Sequence, residues 1–271
     1  MSGSSDDRGL VRRFRAGLVV GGPFALAGAL AFLLKVDAVV QLWPYQTYGL
    51  SHVFIASLLA AIGAPVVWIG ASGELASLPG GAGNILVTGG GMGAWAAWQS
   101  IGGAPPKVLL FSLVCLLFVV VTAAMIVRAR KLEFADSRPT PGLVRWSFIL
   151  FCVLLLIIGS LLVLRVPGIF PWLLDDNASV SYGFAFLGAA AYFGFGASRP
   201  VWGNAKGQLL AFLAYDLVLI GPFVLHFSTV SSQLLLSLSL YVGVLAYSGA
   251  LAIFFLLLDR RFRLGSGLAA V

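Results

Sequence analysis

Charge is what this sequence has least of. Only 10% of its 271 residues are Asp, Glu, Lys or Arg, against about 25% in a soluble domain. A compact water-facing surface cannot be assembled from so few charged groups. That excludes a soluble enzyme and a disordered chain. Cysteine is nearly absent: Cys115 and Cys152 stand far apart in apolar runs, which excludes a disulfide scaffold and a thiolate metal centre. The motifs of nucleophile elbows, phosphate loops, zinc proteases and kinases are missing as well. The chain therefore reads as no enzyme, and no cofactor is expected.

What the sequence does hold is apolar surface: 60% of residues are hydrophobic and mean hydropathy is +1.00. A bilayer core takes about 20 apolar residues per helix, and eight runs fit: residues 16–34, 52–69, 84–99, 108–127, 146–164, 181–195, 208–226 and 234–258. The fold expected is all-α, a polytopic membrane helix bundle of about eight transmembrane helices. The third and sixth runs are short and rich in glycine. The first is too long for a signal-peptide core and leads straight into Leu42-Trp43-Pro44-Tyr45, so it reads as a retained span.

Net charge is +7, but its placement says more than its sum. With eight crossings and the N-terminus inside, only Lys35, Lys107 and Arg165 fall in outer connections. All other basic residues fall on the inner side, as the positive-inside rule demands. Deleting the third crossing would invert everything after it. The expected location is a bacterial inner membrane, multi-pass, with both termini cytoplasmic. The bilayer is the main partner and nucleic acid is not one. A homo-oligomer or a membrane partner subunit is compatible with the composition.

The halves look alike. Arg15, an uncharged run and Lys35-Val36 return as Arg145, a run and Arg165-Val166, an offset of 130 residues at both ends (15 to 145, 35 to 165). Trp43-Pro44 is answered by Pro171-Trp172, and Gly70-Ala71-Ser72 by Gly196-Ala197-Ser198. Four spans per unit would make a parallel 4+4 internal repeat, an arrangement used by transporters. The expected division is a disordered N-terminal tail (1–15), a first four-helix repeat (16–130), a linker with Pro139 and Pro141 that serves as hinge (131–145), a second repeat (146–258) and a C-terminal tail (259–271).

Asp216 is the sharpest candidate, the only charged residue inside any expected span. A central aspartate in a membrane costs about 2.5 to 3.5 kcal/mol, so it needs a proton or a donor. Tyr241, Tyr247 and Ser248 on the last span, or Tyr182 and Tyr192 on the sixth, could supply one. The functional reading is a coupling site for a proton or a cation; the plain reading is a hydrogen bond between helices. Weaker candidates are His52 and His226 near the outer face, and Glu74, read as a solvated loop acid. Asp175-Asp176-Asn177 reads as a solvated outer turn, and Pro79-Gly80-Gly81-Ala82-Gly83 as a flexible loop. Small residues every fourth position (Gly89, Gly93 and Ala97; Gly21, Ala25 and Ala29) suit close helix packing.

The segment from Leu42-Trp43-Pro44-Tyr45 through Ser51, with Gly73-Glu74-Leu75 after the next span, resembles bacterial integral-membrane proteins. The resemblance implies an inner-membrane location and no site chemistry. Two functions stay open: a small-solute or ion-coupled carrier using Asp216, and a non-catalytic subunit or scaffold whose small-residue faces bind partner helices. Polar groups around Asp216 would favour the first; exposed glycine faces would favour the second.

Overall fold

The computed structural model describes residues 5–129 and 131–264. The chain is 78% helix, with no strand among the described residues. Its helices are α1 (Ser5–Leu33), a short α2 (Asp37–Val40), α3 (Ser51–Ser72), α4 (Leu78–Ile101), α5 (Pro106–Ala129), α6 (Gly142–Val163), α7 (Asp176–Ser198), α8 (Trp202–His226) and α9 (Leu235–Ile253). A wider, π-helical stretch at Phe254–Leu258 continues α9. Seven helices are long and apolar enough to cross a membrane. The eighth long helix, α4, falls below that hydropathy because its glycines, Asn84 and Gln99 dilute it.

Contacts between connections show that α4 nevertheless runs the length of the bundle. At one end, Arg15 Nε donates to Gly70 O (3.1 Å), Trp202 N donates to Arg138 O (2.7 Å) and Trp202 Nε1 donates to Phe262 O (3.0 Å). At the other end, Trp95 Nε1 donates to Asn177 Oδ1 (3.3 Å), His226 Nε2 meets Pro171 O (3.2 Å) and Trp43 packs on Phe111. Successive connections alternate between these ends, so all eight long helices span it. The protein is a polytopic helix bundle of the expected kind.

Several expected boundaries move outward. Residues 5–15 of the expected disordered tail belong to α1, and residues 1–4 lie outside the described part. Arg130, the last residue of the first expected repeat, and residues 265–271 of the C-terminal tail also lie outside it. The stretch 79–83 is helical, not a loop: Pro79 occupies the first turn of α4, where a missing N–H costs nothing. The sixth run lengthens at both ends into α7, because Asp175 Oδ1 caps it by accepting from Ala178 N (2.7 Å). The acidic turn is thus a helix start, with Asn177 engaged by Trp95 and Gln99.

Helix pairing repeats between the halves. α1 packs on α3 as α6 packs on α7, and α4 packs on α5 as α8 packs on α9. Across the halves α3 packs on α8 and, equivalently, α7 on α4. The ends of α1 and α6 carry the same cap. Lys35 (φ 54) and Arg165 (φ 59) are the only non-glycine residues with positive φ among the described residues. Each is followed by a six-residue closure, Val36 N to Ala31 O (2.9 Å) and Val166 N to Leu161 O (3.0 Å), the Schellman geometry. A left-handed residue with a side chain costs about 1–2 kcal/mol. A cation at a helix C-terminus recovers part of that from the helix dipole. The 130-residue offset is therefore one of backbone geometry as well as residue type.

Glycine sets the closest approaches. A Cβ on Gly22 would lie 3.1 Å from Gly63 O, and one on Gly63 would lie 3.0 Å from Gly22 O, which seats α1 on α3. Gly159 and Gly183 face each other's carbonyls in the same way between α6 and α7. The α1 stripe is one residue from its expected start: Gly21 opens on empty space, and Gly22 makes the contact.

A Gly183→Ala substitution would place its Cβ 2.8 Å from both Gly159 O and Val163 N. Overpacking of this kind should cost about 1–3 kcal/mol, read as a lower melting temperature in detergent. Gly243 faces open space, so Gly243→Ala should leave the melting temperature unchanged or raise it.

Candidate functional site

Asp216 sits near the middle of α8 and is buried, 4% exposed. Its Oδ2 accepts from Ser248 Oγ of α9 (2.8 Å), while Oδ1 is buried with no hydrogen-bond partner. Gly249, beside Ser248, faces the carboxyl group: a Cβ there would lie 3.4 Å from Oδ2. Ser248 Oγ is also 2.8 Å from Val244 O. A hydroxyl has one proton and two lone pairs. Ionised Asp216 can accept the Ser248 proton; protonated Asp216 can donate to Ser248 while that hydroxyl turns to Val244 O. The pair therefore satisfies either state of the carboxyl group.

Of the expected neighbours, Ser248 alone bonds the carboxylate. Tyr241 Oη pairs with Tyr215 Oη across α8 and α9 (2.5 Å). Tyr247 Oη pairs with Ser147 Oγ of α6 (2.7 Å). Tyr182 packs against Phe54 in the aromatic core, with ring centres 4.5 Å apart and planes tilted by 55°. Tyr192 lies against Gly80 and Gly207. Residues of one helix thus have separate partners: Tyr241 and Ser248 of α9 meet α8, and Tyr247 meets α6. His52 Nε2 meets Thr47 Oγ1 (2.8 Å), and His226 meets Thr229 and Pro171 O. Among the described residues no group of three or more His, Cys, Asp or Glu could hold a metal ion.

A second charged cluster closes the opposite end and was not legible as a cluster. Glu74 is not a solvated loop acid. It is 4% exposed and accepts from two backbone amides of the linker, Ala135 N on Oε1 and Asp136 N on Oε2, both at 3.0 Å. Gly73, in the left-handed region (φ 80), turns the chain from α3 toward Glu74. Asp136 in turn accepts from Lys206 Nζ (2.7 Å) and from Arg138 Nε and Nη2 (2.8 and 2.6 Å). Lys206 is 3% exposed and lies inside α8, so Asp216 is not the only charge on that helix. Gly203 N donates to Asp136 O (2.9 Å), and Thr140 N to Pro200 O (2.9 Å). A Cβ on Gly203 would lie 2.6 Å from Glu74 Oε2. The expected hinge is therefore a strap, fastened to α3 by a carboxylate and to α8 by an ion pair.

Burial raises the Asp136 carboxyl, but the hydrogen bonds and charges of Arg138 and Lys206 outweigh it and lower it from 3.8 to about 2. A group held lower in the folded state stabilises the fold above its unfolded value and loses that contribution as pH falls through the folded one. The melting temperature should therefore drop between about pH 4 and pH 2, and Asp136→Asn should flatten that drop. Glu74→Gln replaces one acceptor by a donor opposite an amide N–H. It should cost about 1–3 kcal/mol of stability, measured by melting at neutral pH.

No family model, curated protein or solved structure matches this chain.

Proposed function

We propose that this membrane protein is a carrier that moves protons, or a small solute coupled to them, with Asp216 as the proton-binding group. The reading rests on one observation: a buried carboxyl group, far along a membrane-crossing helix, whose serine partner can satisfy it with or without the proton. Its other oxygen has no protein partner, which suits a group that exchanges its ligand. Intramembrane acids of this kind are kept at an energetic cost and mark ion pathways. Pro222, six residues beyond Asp216, removes a backbone N–H from α8 and supplies a point of bending.

The scaffold reading needs free small-residue faces. Gly22, Gly63, Gly159, Gly183 and Gly188 are consumed in contacts within the bundle, whereas Gly17 and Gly21 of α1 face open space and are what a scaffold reading would use. The strapped end gathers Arg15, Arg138, Lys206 and Arg261. On the positive-inside rule that end faces the cytoplasm of a bacterial inner membrane.

Purified protein in proteoliposomes, driven by a potassium diffusion potential, should acidify an entrapped pH dye. Asp216→Asn should reduce that flux to the level of protein-free vesicles while the melting temperature holds or rises, since functional polar groups are commonly retained at the expense of stability. A well-folded Asp216→Asn protein with wild-type flux would overturn the assignment.

A further inference from the structure

An open cavity of about 890 Å3 lies at the end of the bundle opposite the strap. The end of α4, the start of α5, the start of α7 and the connection before α3 enclose it. No group in it touches the Asp216 site, so the cavity and the carrier reading stand or fall separately.

Tyr45 is the first sign that the cavity is built for something. It is 8% exposed, and its Oη is buried without a hydrogen-bond partner. Burial, with Cys115 and Asp175 nearby, pushes this phenol up to about 12, so it keeps its proton as a donor. An unpaired buried hydroxyl is costly, and Tyr45 is part of the cavity wall, where a bound acceptor would relieve it. The wall also carries opposite charges. Lys107 opens α5 on one side, and Asp175 caps α7 on the other.

Between the charges lie aromatic faces. Trp95 is fixed by its bond to Asn177. Trp98, 69% exposed, and Ile101, 83% exposed, carry the lining onto the outer face of α4. Large rings at a helix end are typical of the level where headgroups meet acyl chains. A cation, an anion, indole faces and an apolar exit together describe a zwitterionic amphiphile. Its phosphate would take Lys107 and Tyr45. Its ammonium would take Asp175 and the open face of Trp98, since Trp95 already carries the Arg165 guanidinium, 5.1 Å from its ring centre. Its chains would leave along Trp98 and Ile101. The volume is far more than a bare phosphate fills.

We propose that this cavity binds the headgroup of a zwitterionic aminophospholipid, with Tyr45 and Lys107 holding the phosphate and Asp175 the amine. The test titrates the delipidated full-length protein in detergent and follows tryptophan fluorescence. The probes are short-chain phosphatidylethanolamine, phosphatidylglycerol of the same chain length, and soluble phosphoethanolamine. Saturable binding of the first is expected, with the other two weaker by roughly tenfold or more. Tyr45→Phe and Lys107→Gln should each weaken phosphatidylethanolamine binding by roughly tenfold, with the melting temperature of the lipid-free protein unchanged for Lys107→Gln and unchanged or raised for Tyr45→Phe. Lys131→Gln, at the other end, should not weaken it. Equal binding of the two lipids, or full binding by both cavity variants, would overturn the proposal. Equal binding of soluble phosphoethanolamine would overturn its assignment to a lipid.

Discussion

Two helices in a membrane gain little from burying leucine against each other, because lipid is as apolar as leucine. They gain from touching along their backbones. In this bundle that contact is made by reciprocal glycines, Gly22 with Gly63 and Gly159 with Gly183, each facing the other's carbonyl. The α1–α3 and α6–α7 pairs are built on this approach. Everything else is arranged around them: α3 and α7 then turn their remaining faces to α8 and α4, and α5 stays at the rim, the least buried of the apolar spans.

The exchange of partners makes one body from two similar halves. Each half's second long helix packs on the other half's third, so neither half has a closed interior alone. Aromatic residues fill the shared centre, with Phe54 of α3 against Phe170, Tyr182 and Phe186 of the second half. Polar fastenings hold the ends. At one, Glu74, Asp136 and Lys206 join three distant parts of the chain. At the other, Asn177 gathers donors from Trp95 and Gln99 of α4. A buried ion pair is weak evidence of stability but fixes register well; here it ties the linker between α5 and α6 to α8.

Class, helix count and alternation were legible because they depend on hydropathy and on where cations stop. The 130-residue offset was legible because its signature, a cation after an uncharged run, coincides with the left-handed caps at Lys35 and Arg165. Asp216 was visible by its isolation, and Ser248 as its partner by proximity in the last span. What was not legible depended on rotation about helix axes and on long-range approach. Tyr241 and Tyr247 lie on the same helix as Ser248 and meet other partners. Glu74 looked solvated because no nearby residue announces the two amides that bury it, 61 and 62 residues away. Lys206 looked like a loop cation because apolar periodicity begins only after it. A signal did exist: Gly73 before the acid and Gly203 at the helix start are both required by its burial.

The crossed pairing also bears on how the chain is made. Synthesis delivers α1 and α3 together, and their glycine contact can close at once. The partner of α3 is α8, and the partner of α4 is α7, both still unmade when the first four crossings are complete. The first half therefore lacks those partners when its four crossings are complete, and the Phe54 face of α3 is unmatched until the second half arrives. Assembly is completed from the second half backward, when α7 and α8 pack on α4 and α3. Lys206, at the start of α8, then adds a second cation to the Asp136–Arg138 pair already present in the linker.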